Sequence, residues 1–500
     1  MALTADQVLT KIGSFGRYQL RLLIFASILG WFWFAWPLLL STFIAAEPGW
    51  RCVANSTECQ IGAIVYPGDN NYDLRCNMSR GAWEFVGEYT SVVTQFDLVC
   101  DKAIYGTVSS SLLFLGSLMG NAIISTLSDK FGRRIIIFTS GFVVALFSLL
   151  SAFPNSYWLF TLFRFVVGFS LGKCGGVSIF IFISEFVGAR HRAIMGTSLW
   201  YSWTLSLMGL AGIAYLITDW RLLCIVTGAP AIPLALGFLI FPESLRWLIV
   251  KGKTEKAVDL CKSIAHVNGK QISKEEIKFE VKHEERMGDI RDLFGSRDMA
   301  MKTLITGYCW FVNAMVYYGV YLSTPTIGGS THLNFFLTSV IELPAIPAGI
   351  WIYNKFGRKK GVIVPMLLTA AGAAGSLLLT TDDESNKGYF AGKIIMSLIW
   401  SKFWIMISYD GLYVYSGELF PTTVRNIAMG VFEGAAGIGS FCTPYIVYSE
   451  RFHPILPYGI MGLNALVAGL FSIFLDETRY QPTLETVEKS EKKKVIIYYL

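Results

Sequence analysis

A chain of 500 residues that is 53% hydrophobic and only 16% charged, with 36 phenylalanines and a mean hydropathy of +0.49, lacks the charge to cover a water-facing globule of its size. That composition excludes an ordinary soluble protein and points to the bilayer as solvent. A net charge of +6 is small enough to be a loop bias rather than a footprint for nucleic acid. In chain order, residues 1–21 form an N-terminal segment, and the first apolar stretch, LRLLIFASILGWFWFAWPLLLSTFIAA (Leu20–Ala46), is too long for a secretory leader and is not followed by a convincing small-residue cleavage site. Apolar runs of roughly 20 residues, the length that crosses a hydrocarbon core, begin near Leu22, Ala103, Ile135, Tyr157, Ile194, Leu222, Thr303, Asn334, Val362, Tyr389, Ile427 and Leu456. Few alternate like strands, and backbone in lipid must satisfy its own hydrogen bonds, so the runs read as about twelve helices. The boundaries are then 22–241 for a first bundle with a loop at 46–102, 242–302 for a linker, 303–475 for a second bundle and 476–500 for a tail.

The short loops alternate in basic content. Lys130, Arg133 and Arg134, then Arg190 and Arg192, then Lys355, Arg358, Lys359 and Lys360, then Arg425 mark the cytosolic side. An even helix count places both termini there too, and the loop 46–102 faces outward. That loop holds Cys52, Cys59, Cys76 and Cys100, an even number suited to disulfides, and sequons at Asn55 and Asn77. The other five cysteines show no metal-ligand spacing and read as free thiols. The linker mixes charges densely, as in SKEEIKFEVKHEERMGDIRDLF, and reads either as short amphipathic helices beneath the membrane domain or as a solvated connection.

Three signatures recur at nearly half the chain length. LSDKFGRR, with Asp129, returns as YNKFGRKK, with Asn354, 225 residues later (129 to 354). Glu185 stands seven residues before Arg192, and Glu418 stands seven before Arg425, a step of 233 (185 to 418). Glu243 in FPESLRW and Glu477 in LDETRYQ close the two halves at a step of 234 (243 to 477). The repeat implies a duplicated six-helix unit in parallel orientation.

On these residues the chain resembles the major facilitator superfamily. FDLVCDKA, LSDKFGRR, SEFVGARHR, PESLRWL, WFVNAMVYYG, ELPA and GELFPTTVRN together resemble its organic cation, carnitine and organic anion transporters, over nearly the whole length. The resemblance implies an all-α membrane protein with the twelve-helix fold of that superfamily, two pseudo-symmetric six-helix bundles, working by alternating access. It further implies a cytosolic charge network of Asp129, Arg133, Arg134, Glu185, Arg192, Arg358, Glu418 and Arg425 that locks the bundles in the outward-open state. Asn354 in place of a second aspartate makes one side of that lock weaker.

Ionisable residues inside apolar helices cost a few kcal/mol each on insertion scales and so point at a water-filled pathway. Arg164, Lys173, Glu342, Lys402, Asp410 and Glu433 qualify. Glu342, in VIELPAIPAG, matches by resemblance the acidic residue of the cation carriers, the alternative being a helix-to-helix hydrogen bond. Glu433 lies one turn before Gly437, which aligns with a position that is acidic in cation carriers and basic in anion and carnitine carriers. Asp410 adds negative character, or carries a proton, or pairs with a lysine. Lys173 and Lys402 match basic positions of the family; they pair with acids or meet a substrate carboxylate, Lys173 being read as structural or gating. Tyr317 matches a pocket tyrosine, with Trp310 and Phe311 two turns earlier, and Trp200 and Trp203 lie in the fifth helix. Aromatic faces of this kind hold an amine by about 0.5–2 kcal/mol.

The histidines fall in loops or ends, HEERM is not a zinc-binding HExxH, and KGKTEK carries Trp247 where a phosphate loop needs its leading glycine. No enzyme, cofactor or ATP coupling is expected. The leading expectation is a plasma-membrane carrier of small organic cations. A carnitine-like zwitterion carrier coupled to sodium or protons is the runner-up. An organic anion exchanger follows, disfavoured by Gly437 and by Ile346 where anion carriers have lysine, and a receptor or channel on the same scaffold is the different-class alternative.

Overall fold

The computed structural model describes residues 5–481 apart from 55, 68, 70, 87–88, 175, 273–276, 278, 280–288 and 380–386. The apolar runs are helical, and some of the helices begin just beyond the run at a capping residue. Thus α8 (Trp220–Ile240) starts at Asp219, whose carboxylate accepts from Leu222 N, and α11 (Arg297–Leu322) at Ser296, which accepts from Met299 N. Among the described residues, eight helical spans are long and apolar enough to cross a membrane.

The chain divides into two compact units, Met1–Ile44 with Leu115–His283 and Ala45–Phe114 with Glu284–Leu500. The first holds α1 (Ala5–Lys11), α2 (Arg17–Ile44), most of α3 (Ile104–Phe131), α4 (Arg133–Leu150), α5 (Tyr157–Cys174), α6 (Gly176–Ser184), α7 (Arg192–Leu216) and α8. The linker begins with α9 (Leu245–Val250) and α10 (Thr254–Val267), so its first part is built of helices. In α10 the buried Ala257, Leu260, Cys261 and Ile264 recur at helical spacing. Burial pushes the Cys261 thiol up to about 12, which leaves it inert at neutral pH. Asn268, just after α10, donates to the carbonyls of Ile12 and Gly13 at 3.2 and 3.3 Å and accepts from Tyr18 N at 3.0 Å. Asp6 pairs with Arg192 and Arg246. The N-terminal segment is therefore tied to the linker. Most of the rest of the linker's charged stretch lies outside the described residues.

The second unit contains α11, α12 (Thr331–Phe356), α13 (Arg358–Leu378), α14 (Gly388–Leu419), α15 (Thr422–Tyr448) and α16 (Leu456–Phe474). The loop 46–102 clusters with this unit rather than with the helices that flank it in sequence. Two short antiparallel strands, β1 (Trp50–Cys52) and β2 (Trp83–Phe85), pair Trp50 with Phe85 and Cys52 with Trp83. Disulfides join Cys52 to Cys59 and Cys76 to Cys100. Arg75 is fully buried, stacked 3.9 Å over Tyr72 and 2.9 Å from Glu47, which also pairs with Arg451. That pairing explains the clustering, because it ties the loop to the chain that follows α15. Asn77 is exposed, and Asn55 lies outside the described residues.

Candidate functional site

The repeated signatures build one arrangement twice, once in each unit. In the first unit Gly132 has φ +111, which only glycine adopts freely, and a Cβ there would stand 2.3 Å from the Glu243 carboxylate. Glu243 Oε1 instead accepts the backbone N–H of Arg133 at 3.0 Å and of Arg134 at 3.1 Å, so a carboxylate caps the start of α4. The Arg133 side chain reaches Glu185, which also accepts from the Ser244 hydroxyl. The second unit reproduces each part. Gly357 has φ +96, and a Cβ there would stand 2.4 Å from Glu477. Glu477 accepts from Arg358 N at 2.8 Å and Lys359 N at 3.2 Å, Arg358 pairs with Glu418 at 3.1 Å, and the Thr478 hydroxyl donates to Glu418 at 2.7 Å.

Glu185 and Arg192 recur at a fixed step, but they are not each other's partners: Glu185 meets Arg133, and Arg192 meets Asp6. Arg425 donates to the Phe420 carbonyl at 3.4 Å, and the Arg134 guanidinium lies 4.1 Å over the Phe238 ring. Asn354 is exposed, and the Asp129 side chain lies outside the described residues. The sequence marked Glu243 and Glu477 as repeats without assigning them a role, and their neighbours Ser244 and Thr478 were missed. The signal was a hydroxyl residue immediately after each repeated glutamate. Because Glu185 is 9% exposed and Glu418 28%, Glu185→Gln is expected to cost about 3 kcal/mol and Glu418→Gln about 1 kcal/mol, read from thermal unfolding of the purified variants.

The central acids and aromatics divide between the units. Within the second, Glu342 at the break in α12 is fully buried, and its Oε1 lies 2.9 Å from Lys402 Nζ. The same oxygen accepts from the Tyr317 hydroxyl at 2.7 Å and the Tyr321 hydroxyl at 2.9 Å. Lys402 is equally buried, with Nζ 3.0 Å from the Tyr317 ring centroid and 4.0 Å from that of Tyr321. The interhelical contact weighed against a substrate role for Glu342 is therefore present. A π-helical turn, Ile395–Trp400, runs directly into Ser401 and Lys402 and rotates the remainder of α14 relative to an unbroken α-helix.

Asp410 and Glu433 are half-buried, and both act electrostatically on Tyr413. Trp310 is buried, donates to the Ser416 hydroxyl at 2.9 Å, and meets Tyr413 at 4.5 Å, Tyr409 at 5.9 Å and Phe432 at 6.3 Å between centroids. Tyr409 also reaches Tyr317, at 5.6 Å. Glu433 is close enough to act electrostatically on Tyr409 and Tyr413. The sequence pointed to Trp310 and Tyr317 but not to Tyr409, Tyr413 or Phe432. Phe311 instead stacks on Tyr308, at 6.2 Å. In the first unit Trp200 is half-buried, Trp203 packs on Phe34 at 5.1 Å, and the Lys173 side chain lies outside the described residues. Arg164 is buried and donates to the Pro37 carbonyl at 2.7 Å and to the Ser41 hydroxyl at 3.0 Å, staples across the second half of α2.

Apolar spans, a duplicated glycine–arginine turn and buried ion pairs with aromatic partners fit a membrane transport protein. Among the described residues no cluster has the makings of a metal site. Comparison with known proteins agrees. Residues 22–489 match the sugar (and other) transporter family. The organic cation/carnitine transporter 4 of Arabidopsis thaliana is 30% identical over 97% of this chain and 90% of its own length. Human organic anion transporter 3 is 28% identical over 98% and 94%. The inward-open structure of the xylose transporter XylE from E. coli superimposes with a TM-score of 0.66 at 17% identity, over 95% of this chain and all of that one, which establishes the fold. The chain belongs to the sugar (and other) transporter family of the major facilitator superfamily, on its organic cation, carnitine and organic anion transporter branch. It is a multi-pass membrane transporter with the twelve-helix fold of that superfamily.

Proposed function

We propose that this protein carries small organic cations across the plasma membrane by alternating access, down their electrochemical gradient. The observation that carries this reading is an acid set among rings: Glu433 lies close enough to act electrostatically on Tyr409 and Tyr413, Asp410 acts on Tyr413 as well, and the two tyrosines pack on Trp310 at 5.9 and 4.5 Å between centroids. An amine meeting those rings gains about 0.5–2 kcal/mol, and more once desolvated. The membrane potential adds about 2.3 kcal/mol per 100 mV for a monovalent cation, or roughly fiftyfold accumulation, with no coupled ion. Relatives named for organic cation transport, from Arabidopsis thaliana and Drosophila melanogaster, support the same substrate class.

On this reading both termini are cytosolic, the loop 46–102 is extracellular, and the exposed Asn77 is a glycan acceptor, as is Asn55. The Glu185 and Glu418 networks act as gates. A second reading, a carnitine-like zwitterion carrier, draws on the name of the Arabidopsis relative. It draws on the lysines to meet the substrate carboxylate; Lys402 is engaged by Glu342, and the Lys173 side chain lies outside the described residues. Uptake of tetraethylammonium, carnitine and an aromatic carboxylate into vesicles of controlled potential tests the two. Saturable, trans-stimulated tetraethylammonium uptake that rises about fiftyfold at 100 mV is expected. Carnitine or carboxylate uptake without tetraethylammonium uptake would overturn the reading, and loss of trans-stimulation would favour a channel.

A further inference from the structure

The pocket around Lys402 has the composition of a site for an alkylammonium ion. It offers one carboxylate, Glu342, and the faces of two tyrosines, Tyr317 and Tyr321, whose hydroxyls are both turned onto that carboxylate. The two hydroxyls pre-orient that carboxylate, and the rings present their negative faces to whatever lies between them. The occupant is the chain's own side chain. The Lys402 ammonium lies 2.9 Å from Glu342 Oε1 and 3.0 and 4.0 Å from the two ring centroids. A lysine head is a primary alkylammonium, so the cage is already holding the chemical class that the organic-cation reading assigns to the substrate.

We propose that Lys402 is a tethered competitor: its ammonium fills the Glu342–Tyr317–Tyr321 cage in the empty carrier, and a substrate ammonium must displace it to bind there. This rests on the organic-cation reading and adds a regulation to it. The tether also supplies a place for the displaced lysine. Asp410, eight positions on along the same helix, is close enough for its charge to act on Lys402, and receives the lysine when the cage is taken. The charges facing Lys402 are then Glu342 from α12 and Asp410 from its own helix, with the phenols of Tyr317 and Tyr321 from α11. The arrangement keeps the cage electrically matched with or without a substrate.

Occupancy sets the consequence for affinity. A site open only a fraction of the time binds an external ligand more weakly by that fraction. A lysine that holds the cage nine-tenths of the time or more lowers the apparent affinity at least about tenfold. Removing it restores that factor, provided that Glu342 stays.

The test titrates purified wild type and Lys402→Gln, both in lipid nanodiscs, with tetramethylammonium, a quaternary ion that the labelling reaction below cannot itself methylate. The dissociation constant is expected to fall at least about tenfold in Lys402→Gln. Glu342→Gln/Lys402→Gln should lose the gain, and Lys402→Arg should keep the wild-type value. A folded Lys402→Gln that binds tetramethylammonium no better than wild type overturns the proposal. Because that variant strands a buried carboxylate and could fail to fold, a second measurement uses the unaltered protein. Saturating tetramethylammonium should raise reductive methylation of Lys402, read by mass spectrometry, several-fold. Unchanged or reduced labelling overturns the proposal as well. Failure of the carrier reading shows separately, as absent tetraethylammonium uptake by wild type, whereas the lysine is judged on the difference between variant and wild type.

Discussion

Glu342→Ala is expected to destabilise the protein by about 3–5 kcal/mol and to abolish cation uptake, the largest effect of any single polar substitution here. Both members of the Glu342–Lys402 pair are fully buried, so removing the acid strands an ammonium in the interior of the second unit. The same change also takes the acceptor from the Tyr317 and Tyr321 hydroxyls. The penalty is that of an uncompensated charge and is not the net worth of the pair, since the desolvation of two ions offsets most of their attraction. A double variant separates the two quantities. Glu342→Gln/Lys402→Met leaves no buried charge and should return to within about 1–2 kcal/mol of wild type in thermal unfolding, with uptake still absent. If the double variant is as unstable as Glu342→Ala, the loss lies in packing and the electrostatic account fails.

Gly120→Val should prevent folding of the first unit, and Gly120→Ala should cost at least about 2–3 kcal/mol. A Cβ on Gly120 would lie 1.8 Å from the Phe169 carbonyl oxygen, which is backbone and cannot rotate away. Gly116, one turn earlier, faces the Phe165 carbonyl at 2.5 Å, and Gly172 of the partner helix faces Asn121 N at 2.3 Å. Helices α3 and α5 thus touch backbone to backbone through small residues spaced four apart, the means by which helices in lipid gain contact without a hydrophobic driving force. Gly212 is the matched control, because a Cβ there meets nothing within 4 Å. Gly212→Ala should be neutral or stabilising by up to about 1 kcal/mol, from helix propensity. Unfolding temperatures of the two alanine variants, measured side by side, decide the matter; equal values would remove the close-packing argument.

Much of this architecture is legible in one dimension because bilayer physics writes it there. A run of apolar residues long enough to cross the hydrocarbon must be helical, and basic residues gather in the loops on one side. The helix starts seen in the structure fall within a turn or two of the apolar runs, at caps such as Asp219 and Ser296. The duplicated turns at Gly132 and Gly357 are legible for a related reason: a φ near +100 admits only glycine, so the constraint is visible as residue identity. Glu342, Lys402, Asp410 and Glu433 could be singled out by cost, since charge inside a span is expensive.

Partner choice is a different kind of information. That Glu185 reaches Arg133 and not Arg192, and that Glu342 takes Lys402 sixty positions away rather than a cation nearer in sequence, depends on how helix faces meet. The π-turn at Ile395–Trp400 adds a residue to the winding just before Lys402, so the face on which that lysine emerges cannot be counted from an ideal 3.6-residue period. Tyr409, Tyr413 and Phe432 were hidden for a statistical reason, in a chain that is 15% aromatic and offers no local mark to tell a ligand-facing ring from a packing one. The amino-acid order alone thus settled the solvent, the helical spans, the duplication and the glycine turns, all consequences of backbone sterics and transfer free energy that act locally. Only the tertiary structure decided which buried charges meet, because electrostatic pairing acts through space and falls off over a few ångströms that the chain crosses only when folded.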